Sequence, residues 1–466
     1  KLGRIGARKG WEAVSSNGAA VLGSSRGIES VFEYVKRDGT KIVFSAGNNK
    51  IFTGTSTLAA VTLPSGYSIS ANNWKIVSFN NDVYFFQRGH AALVSVAGST
   101  TLIAVADGGT AAPAANEVLA AYGRLWAADI TANKYVVYWS DLLDGDDWHG
   151  GSSGSLDLTL VWPTGFDEVV ALAAHNNFLI IFGKKSMLVY SGASSPASMT
   201  LADTVEGVGC IASDSVQHTG TDILFLSETG VRSFGRTIQE KSMPMRDISK
   251  NIRTDLLSLI PLQTNAIKSL YSSEEAFYLL TLPDSNTVYC FDMRRQLEDG
   301  SNRVTTWSSM YPLSFVSLEG GAIYIGISSG IVEYKNYMDG AVKYEMRYFS
   351  NPMDFGNASN LKFLKKFNIT IIGGQNTNST LNWGYDYSTN FTKQVFTLTG
   401  SVNAGEYGVS EYNTTAEYTA TAIINTPKVN TSGNGEVVTI GLETEINDTS
   451  FSIQKIDIHA ILGRLI

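Results

Sequence analysis

The feature that most constrains this chain is a recurring unit. A turn doublet ends one strand-like run and opens the next, and a further run follows within a few residues. The doublets are Asp38-Gly39, Asn80-Asn81, Tyr122-Gly123, Asn176-Asn177, Gly220-Thr221, Glu274-Glu275 and Gly320-Gly321, spaced 42 to 54 residues apart. Runs such as Val83-Tyr84-Phe85-Phe86 and Phe178-Leu179-Ile180-Ile181-Phe182 follow them, and apolar stretches such as Val169–Ala174 precede them. Short strands repeated at this period mark β-propeller blades, small sheets packed face to face around a ring. The runs are continuously apolar instead of alternating, which fits sheets buried on both faces. The expected fold is all-β, with seven blades, or six if one unit is split or belongs to another element.

One stretch departs from the repeat. Asp247 is placed to cap a helix reaching residue 260, with Ile248, Ile252, Leu256, Leu257 and Ile260 on one stripe and Pro261 stopping it. This is the one short inserted helix of the expected fold, between the fifth and sixth units. Its stripe is expected to pack on its own propeller. The basic residues off the stripe, Arg246, Lys250 and Arg253, are the candidate subunit contacts. After about residue 355 the composition shifts to Asn, Thr and Ser, and the strand-like runs leave the blade period. The reading is a propeller over residues 1–356 and a C-terminal β-sandwich-like domain over 357–466. Seven Asn-x-Ser/Thr sequons fall in the second part, a frequency that an Asn/Thr-rich surface produces by composition alone.

Composition excludes several classes of function. A net charge of −8 argues against a protein that grips DNA phosphates with a basic face. Aromatic content of 11% with only 17% charged residues excludes a disordered chain. No run approaches the roughly 18 apolar residues of a membrane-spanning helix. Cys210 and Cys290, 80 residues apart, build neither a disulfide framework nor a metal cluster, and are expected to be buried thiols.

The motifs that resemble chemistry fail on spacing. Asp141, Asp144, Asp146 and Asp147 precede Trp148, but an EF-hand needs a central Gly and a closing Glu at set positions. The expectation is an Asx-rich turn leading into a blade-packing Trp. Gly183-Lys184-Lys185-Ser186 resembles the end of a phosphate loop, yet Phe178 stands where that motif requires its first Gly. A hairpin turn with solvated lysines is expected there. Histidines 90, 149, 175, 218 and 459 form no His-Glu-x-x-His pattern, and no strand-to-helix Gly-x-Ser-x-Gly elbow occurs. No catalytic, metal-binding or cofactor-binding residue is expected, and the protein is read as not an enzyme.

The residues do suggest a family. The opening Lys1-Leu2-Gly3-Arg4-Ile5-Gly6-Ala7-Arg8-Lys9-Gly10-Trp11, the stretch Tyr138-Trp139-Ser140-Asp141 through Asp157, and the hairpin from Asn177 to Tyr190 resemble tail nozzle proteins of short-tailed bacteriophages. Val208–Ile211, Leu224–Val231, Asp247–Ile252 and the terminal strand from Phe451 fit the same pattern. That group includes packaged-DNA stabilisation and tubular tail proteins. The resemblance implies a propeller with a small β domain, a hexameric ring in the virion tail, and no catalytic residues. It also implies contacts with the adaptor ring and other tail proteins, around a channel that double-stranded DNA passes through. The alternative is a secreted or surface propeller that binds glycans, with Trp383, Tyr385 and Tyr387 as aromatic platforms. A third reading is a propeller hydrolase with its site on the central axis.

Overall fold

A computed structural model describes residues 4–23, 27–163, 165–240, 247–375, 377–399 and 424–465. The chain divides into two compact units, Ala13–Glu333 and Lys1–Glu12 with Tyr334–Ile466.

Among the described residues, the first unit is a β-propeller of seven antiparallel blades, with a small two-stranded hairpin, Ala106–Asp107 and Thr110–Ala111, between the second and third. Blade 1 is Ile28–Val35, Lys41–Gly47, Lys50–Thr53 and Ala59–Ala60, and blade 2 is Lys75–Phe79, Asp82–Phe86, Leu93–Ser95 and Ile103–Ala104. Blade 3 is Ala115–Ala121, Arg124–Ile130, Val136–Trp139 and Gly154–Asp157, and blade 4 is Val169–His175, Phe178–Gly183, Ser186–Ser191 and Thr200–Glu206. Blade 5 has three strands, Gln217–His218, Ile223–Ser227 and Gly230–Ser233, and blade 6 is Lys268–Ser272, Phe277–Leu282, Thr287–Gln296 and Asn302–Trp307. Blade 7 holds Ser314–Ser317, Ile323–Ile327 and Gly330–Tyr334. Its outer edge is met by the start of the propeller: Val14 N and Ser15 N donate to Ile331 O at 3.0 and 3.1 Å. The first strands stand side by side around the axis, and that of blade 7 lies against that of blade 1, where Ser314 Oγ donates to Ile28 O at 2.8 Å. Between blades 4 and 6 the inner position is taken by the 3-10 turn Ser213–Ser215.

The apolar runs explain this arrangement. Along Phe178–Gly183, Leu179 and Ile181 pack into the core shared with Trp126 and Trp139 of blade 3, whereas Ile180 and Phe182 pack against Ile223 and Phe225 of blade 5. Successive side chains of a strand point to opposite faces, so one strand serves two cores. The doublets are the turns between first and second strands. Asn80-Asn81, Tyr122-Gly123 and Asn176-Asn177 have positive φ at both residues, as the two-residue turns matching strand twist require.

Three sequence expectations are corrected. The inserted helix is shorter than 247–260: a 3-10 turn Lys250–Ile252 leads into the α-helix Arg253–Leu259 and a second 3-10 turn Ile260–Leu262. Asp247 caps an Asx turn and not the helix, accepting Ser249 N at 2.9 Å and Ser249 Oγ at 2.7 Å. The stripe packs as expected, with Ile248 and Leu256 buried among Leu224, Tyr278 and Phe291. Nor is that helix alone. Phe234–Glu240 follows the last strand of blade 5, with Phe234 against Phe182 at 6.4 Å, and Gly18–Leu22 is a further short helix.

The third correction is the domain boundary, which falls at 333/334 and not 356/357. Strand Tyr344–Phe349 pairs along its length with Val438–Ile446, so it belongs to the second unit. That unit is a two-sheet β domain. Asn360–Gly373 is flanked by Phe451–Leu465 on one side and by Ile424–Asn425, Lys428–Asn430 and Asn434–Gly435 on the other. The second sheet runs Tyr344–Phe349, Val438–Ile446, Thr377–Tyr385, Thr392–Leu398. Phe367, Ile369 and Ile371 meet Leu381, Trp383, Ile440 and Leu442 in one core.

The exposed Asn176-Asn177 turn provides a test of the backbone argument. Asn177→Val should lower stability by about 1–2 kcal/mol, the cost of a left-handed conformation for a branched residue, whereas Asn177→Gly should leave it unchanged. Urea unfolding of both variants measures the difference.

Candidate functional site

The charged residues that matter most stand on the propeller axis, Glu117 and Lys268 buried, Lys75 and Asp214 half-buried. Lys75 and Lys268 open the first strands of blades 2 and 6, Glu117 sits in the first strand of blade 3, and Asp214 lies on the turn Ser213–Ser215. Lys75 Nζ is 3.0 Å from Glu117 Oε2 and 3.2 Å from Asp214 Oδ1, while Lys268 Nζ is 2.7 Å from Asp214 Oδ2 and also donates to Asn73 Oδ1. Leu172 N donates to Glu117 Oε1 at 3.3 Å, and Ser269 Oγ donates to Asp214 O at 2.7 Å. Four segments are thereby tied across the axis by two cations and two anions.

Their titration follows from burial and pairing. Burial pushes the Glu117 carboxyl up to about 7, with Asp214 adding to the shift and Lys75 opposing it. Burial alone would raise Asp214 and lower Lys75. For Asp214 the two lysines outweigh it and hold the carboxyl well below its usual range; for Lys75 the two carboxylates hold the ammonium protonated. A signal for this network was present in the sequence. Lys75, Glu117 and Lys268 each interrupt an apolar run at the same place in a unit, where a half-exposed sheet would have put them in water.

On one side of Asp214 lies a cavity of about 430 Å³, lined by Arg88, Asp129, Lys134, Glu168 and Lys184 among others. Arg88 pairs with Asp129, whose Oδ2 also accepts Asn116 Nδ2 at 3.2 Å. Lys134 Nζ and Lys184 Nζ both meet Glu168 Oε2, at 3.2 and 2.7 Å.

The Gly183–Ser186 turn explains its likeness to a phosphate loop. The N–H groups of Lys184, Lys185 and Ser186 converge on the Asp167 carboxylate at 2.9, 2.9 and 3.0 Å, and Ser186 Oγ joins them at 2.8 Å. The backbone does cradle an anion, and the anion is an internal side chain that is only 4% exposed. It is a hairpin turn, as expected, but Lys184 faces a carboxylate at the cavity as well as solvent.

The acidic run is a set of turn caps. Asp144 Oδ1 accepts Asp146 N at 2.9 Å, and Asp147 Oδ1 accepts His149 N at 3.0 Å and Gly150 N at 2.7 Å. Asp141 accepts Ser152 Oγ and the N–H groups of Ser152 and Leu142, which bring its carboxyl down to about 2. Trp148 packs at 6.0 Å on Phe86. Asp107, Asp147 and His149 bring ligand atoms within 4.8 Å of one another at the surface. Cys210 is buried and Cys290 half-buried, and burial pushes both thiols up to about 12.

The candidate subunit contacts are placed separately. Arg246 lies outside the described residues. Lys250 and Arg253 are exposed, and Lys250 Nζ pairs with Asp299 at 3.0 Å within the chain. Of the aromatic platform residues, Trp383 is buried with its Nε1 donating to Ser432 O at 3.0 Å, and Tyr385 OH donates to the same oxygen at 2.9 Å. Tyr387 is 75% exposed.

No protein-family model matches the sequence, and no curated protein matches it. Among solved structures, the extracellular domain of a one-component system of B. thetaiotaomicron aligns at 10% identity and a TM-score of 0.43, over 78% of this chain and 43% of that one. The chain thus spans less than half the length of that protein. The WD40 propeller domain of Doa1 aligns at 12% identity and TM-score 0.38, over 67% of this chain and 93% of that one. BamB from Moraxella catarrhalis aligns at 9% identity and TM-score 0.38, over 64% and 82%.

Two substitutions test the network. Asp214→Asn leaves the buried Lys268 ammonium without its carboxylate and Lys75 with Glu117 alone, and should cost about 3 kcal/mol of stability, the low end for breaking a buried pair because Lys75 keeps contact with water. Glu117 acts in the opposite sense to a typical ion-paired carboxylate. Its carboxyl is raised in the folded state, so its contribution is complete below about pH 4.5 and is lost as pH rises through about 7. Over that window the unsubstituted protein should lose roughly 3 kcal/mol relative to Glu117→Gln. Denaturant titrations from pH 5 to pH 8 would show it.

Proposed function

We propose that the chain is a structural, non-catalytic subunit of a bacteriophage tail. Copies form a ring, hexameric by the resemblance, that continues the DNA exit channel below the portal and adaptor rings. The ring retains packaged DNA and lets it pass at ejection. The observation that carries the structural half of this reading is the axial network. The charges on the axis are engaged with one another across four segments, which makes the axis a strut. The nozzle half rests on the sequence resemblance. A net charge of −8 per chain suits passage of DNA better than grip, since tight non-specific binding needs cations to displace phosphate counterions. The glycan alternative draws less support, because Trp383 and Tyr385 are committed to the second unit's own packing.

The test is the assembly state. Negative-stain images and mass measurement of the purified protein should show rings of six with a central opening, and antibody labelling should find the protein on virion tails. A protein that stays monomeric at tens of micromolar and is absent from particles would overturn the proposal. Within that assembly, the face carrying Lys250 and Arg253 is proposed to meet an acidic neighbour. Replacing Arg246, Lys250 and Arg253 together by Ser should weaken rings without changing the melting temperature. Added salt should weaken the unsubstituted rings too, since exposed ion pairs are screened over about 10 Å at 0.1 M.

A further inference from the structure

Beside blades 2 and 3 the chain gathers carboxylates with no cation to match them. Asp107 sits on the hairpin Ala106–Asp107 and Thr110–Ala111, Asp82 opens the second strand of blade 2, and Asp144, Asp146 and Asp147 lie in the blade 3 loop before Trp148. Among the described residues none of the five pairs with a lysine or arginine. The one cationic neighbour is His149, whose Nδ1 is 3.7 Å from Asp147 Oδ1. The crowding is felt at Asp146, where burial, then Asp144 and Asp82, push the carboxyl above its usual range, with Tyr84 opposing and Asp107 adding to the rise. Asp146 Oδ1 is closed to solvent and has no hydrogen-bond partner.

Three groups of different origin meet at one point. Ligand atoms of Asp107, Asp147 and His149 all lie within 4.8 Å of one another. Two ligands about 2.0–2.2 Å from a zinc-sized ion are at most about 4.4 Å apart, so at most a small side-chain rotation brings all three onto one centre. The backbone presets them. Asp147 Oδ1 accepts His149 N at 3.0 Å and Gly150 N at 2.7 Å, which leaves Oδ2 outside the turn. Gly150 keeps that oxygen uncovered, since a Cβ there would stand 2.7 Å from it. Across from it, Gly108 and Gly109 take φ of 53° and 88°, the tight turn that carries Asp107, and His149 Nε2 lies 3.6 Å from where a side chain on Gly108 would begin. Val105 and Ala112, at the feet of the hairpin, share one core with Trp148, so both loops are anchored. Neither the His149 ring nitrogens nor the Asp107 carboxylate takes a hydrogen bond among the described residues.

We propose that Asp107, Asp147 and His149 bind a divalent cation of the zinc class, an ion that takes imidazole nitrogen and carboxylate oxygen together. Calcium and magnesium, which take oxygen ligands, are disfavoured by the imidazole. Two carboxylates offset the double charge of the ion, and Asp82, Asp144 and Asp146 add attraction from outside the ligand set. The ion ties the hairpin between blades 2 and 3 to the loop of blade 3. This binding is independent of ring formation and of the tail assignment.

The experiment is a calorimetric titration of the untagged, metal-stripped full chain with Zn²⁺ and, separately, with Ca²⁺. The expected result is one Zn²⁺ per chain, bound more tightly than Ca²⁺. His149→Ala and Asp107→Asn change exposed positions on two different loops. Each should weaken Zn²⁺ binding about tenfold or more and leave the metal-free melting temperature unchanged. Zn²⁺ should also raise the melting temperature of the unsubstituted protein by more than that of either variant. Absence of saturable Zn²⁺ binding would overturn the proposal, as would binding that both variants keep unchanged, since the ion would then sit elsewhere. Ca²⁺ binding as tight as that of Zn²⁺ and indifferent to His149→Ala would overturn it equally, by showing a site made of oxygens alone. Should one variant not fold, the other decides by the same comparison.

Discussion

A β-sheet that is apolar on both faces has no stable existence alone, and the rest of this propeller follows from that constraint. Blade 4 buries Leu179 and Ile181 on one side and Ile180 and Phe182 on the other, and it needs two neighbours at once. Repeating that demand around the chain leaves no blade that can serve as an end. Closure into a ring supplies every face with a partner, at about 25 cal/mol for each Å² of apolar surface removed from water. The polar cost of closure is collected on the axis, where first strands crowd together. Lys75, Glu117, Asp214 and Lys268 are the charges caught there, and they meet it by pairing across blades.

The propeller was legible because its signal is periodic and local. Turn doublets and apolar runs report on residues adjacent in sequence, and Asn176-Asn177 needs no distant partner to adopt its turn. The boundary near residue 334 was not legible. Tyr344–Phe349 resembles a blade strand in composition, and only its register with Val438–Ile446, across nearly a hundred residues, assigns it elsewhere. The start of the inserted helix was misplaced for a related reason. An Asp before an apolar stripe reads as a helix cap, but Asp247 closes a tighter turn onto Ser249, itself fully buried. The axial network lies between these cases. Lys75, Glu117 and Lys268 were visible as charges in or beside apolar runs, whereas Asp214 stands between two serines on a turn, and the convergence of all four depends on which blades face one another.

The misleading motifs share a physical explanation. A loop rich in backbone N–H groups and a run of carboxylates each look like half of a binding site, and each is engaged within the fold. Asp167 fills the N–H cradle at Lys184–Ser186, and backbone N–H groups hold one oxygen each of Asp141, Asp144 and Asp147. A protein can satisfy such groups internally whenever the complementary partner lies one turn away. Spacing alone therefore separates a site from a cap only when it is tested against the partner's position.

The join between Ser15 and Ile331 has a consequence for biosynthesis. The two residues exchange hydrogen bonds across a separation of 316 positions. At about 5–20 residues per second, the emerging chain carries its earliest strand edge unpaired for something like 15–60 s before the matching strand leaves the ribosome. Blade 1 spends that interval with one apolar face uncovered as well, because its companion on that side is the last blade to be made. Nascent chains of this kind are exposed to mispairing with one another on the same message, and a cell making many copies at once would meet that hazard at its greatest.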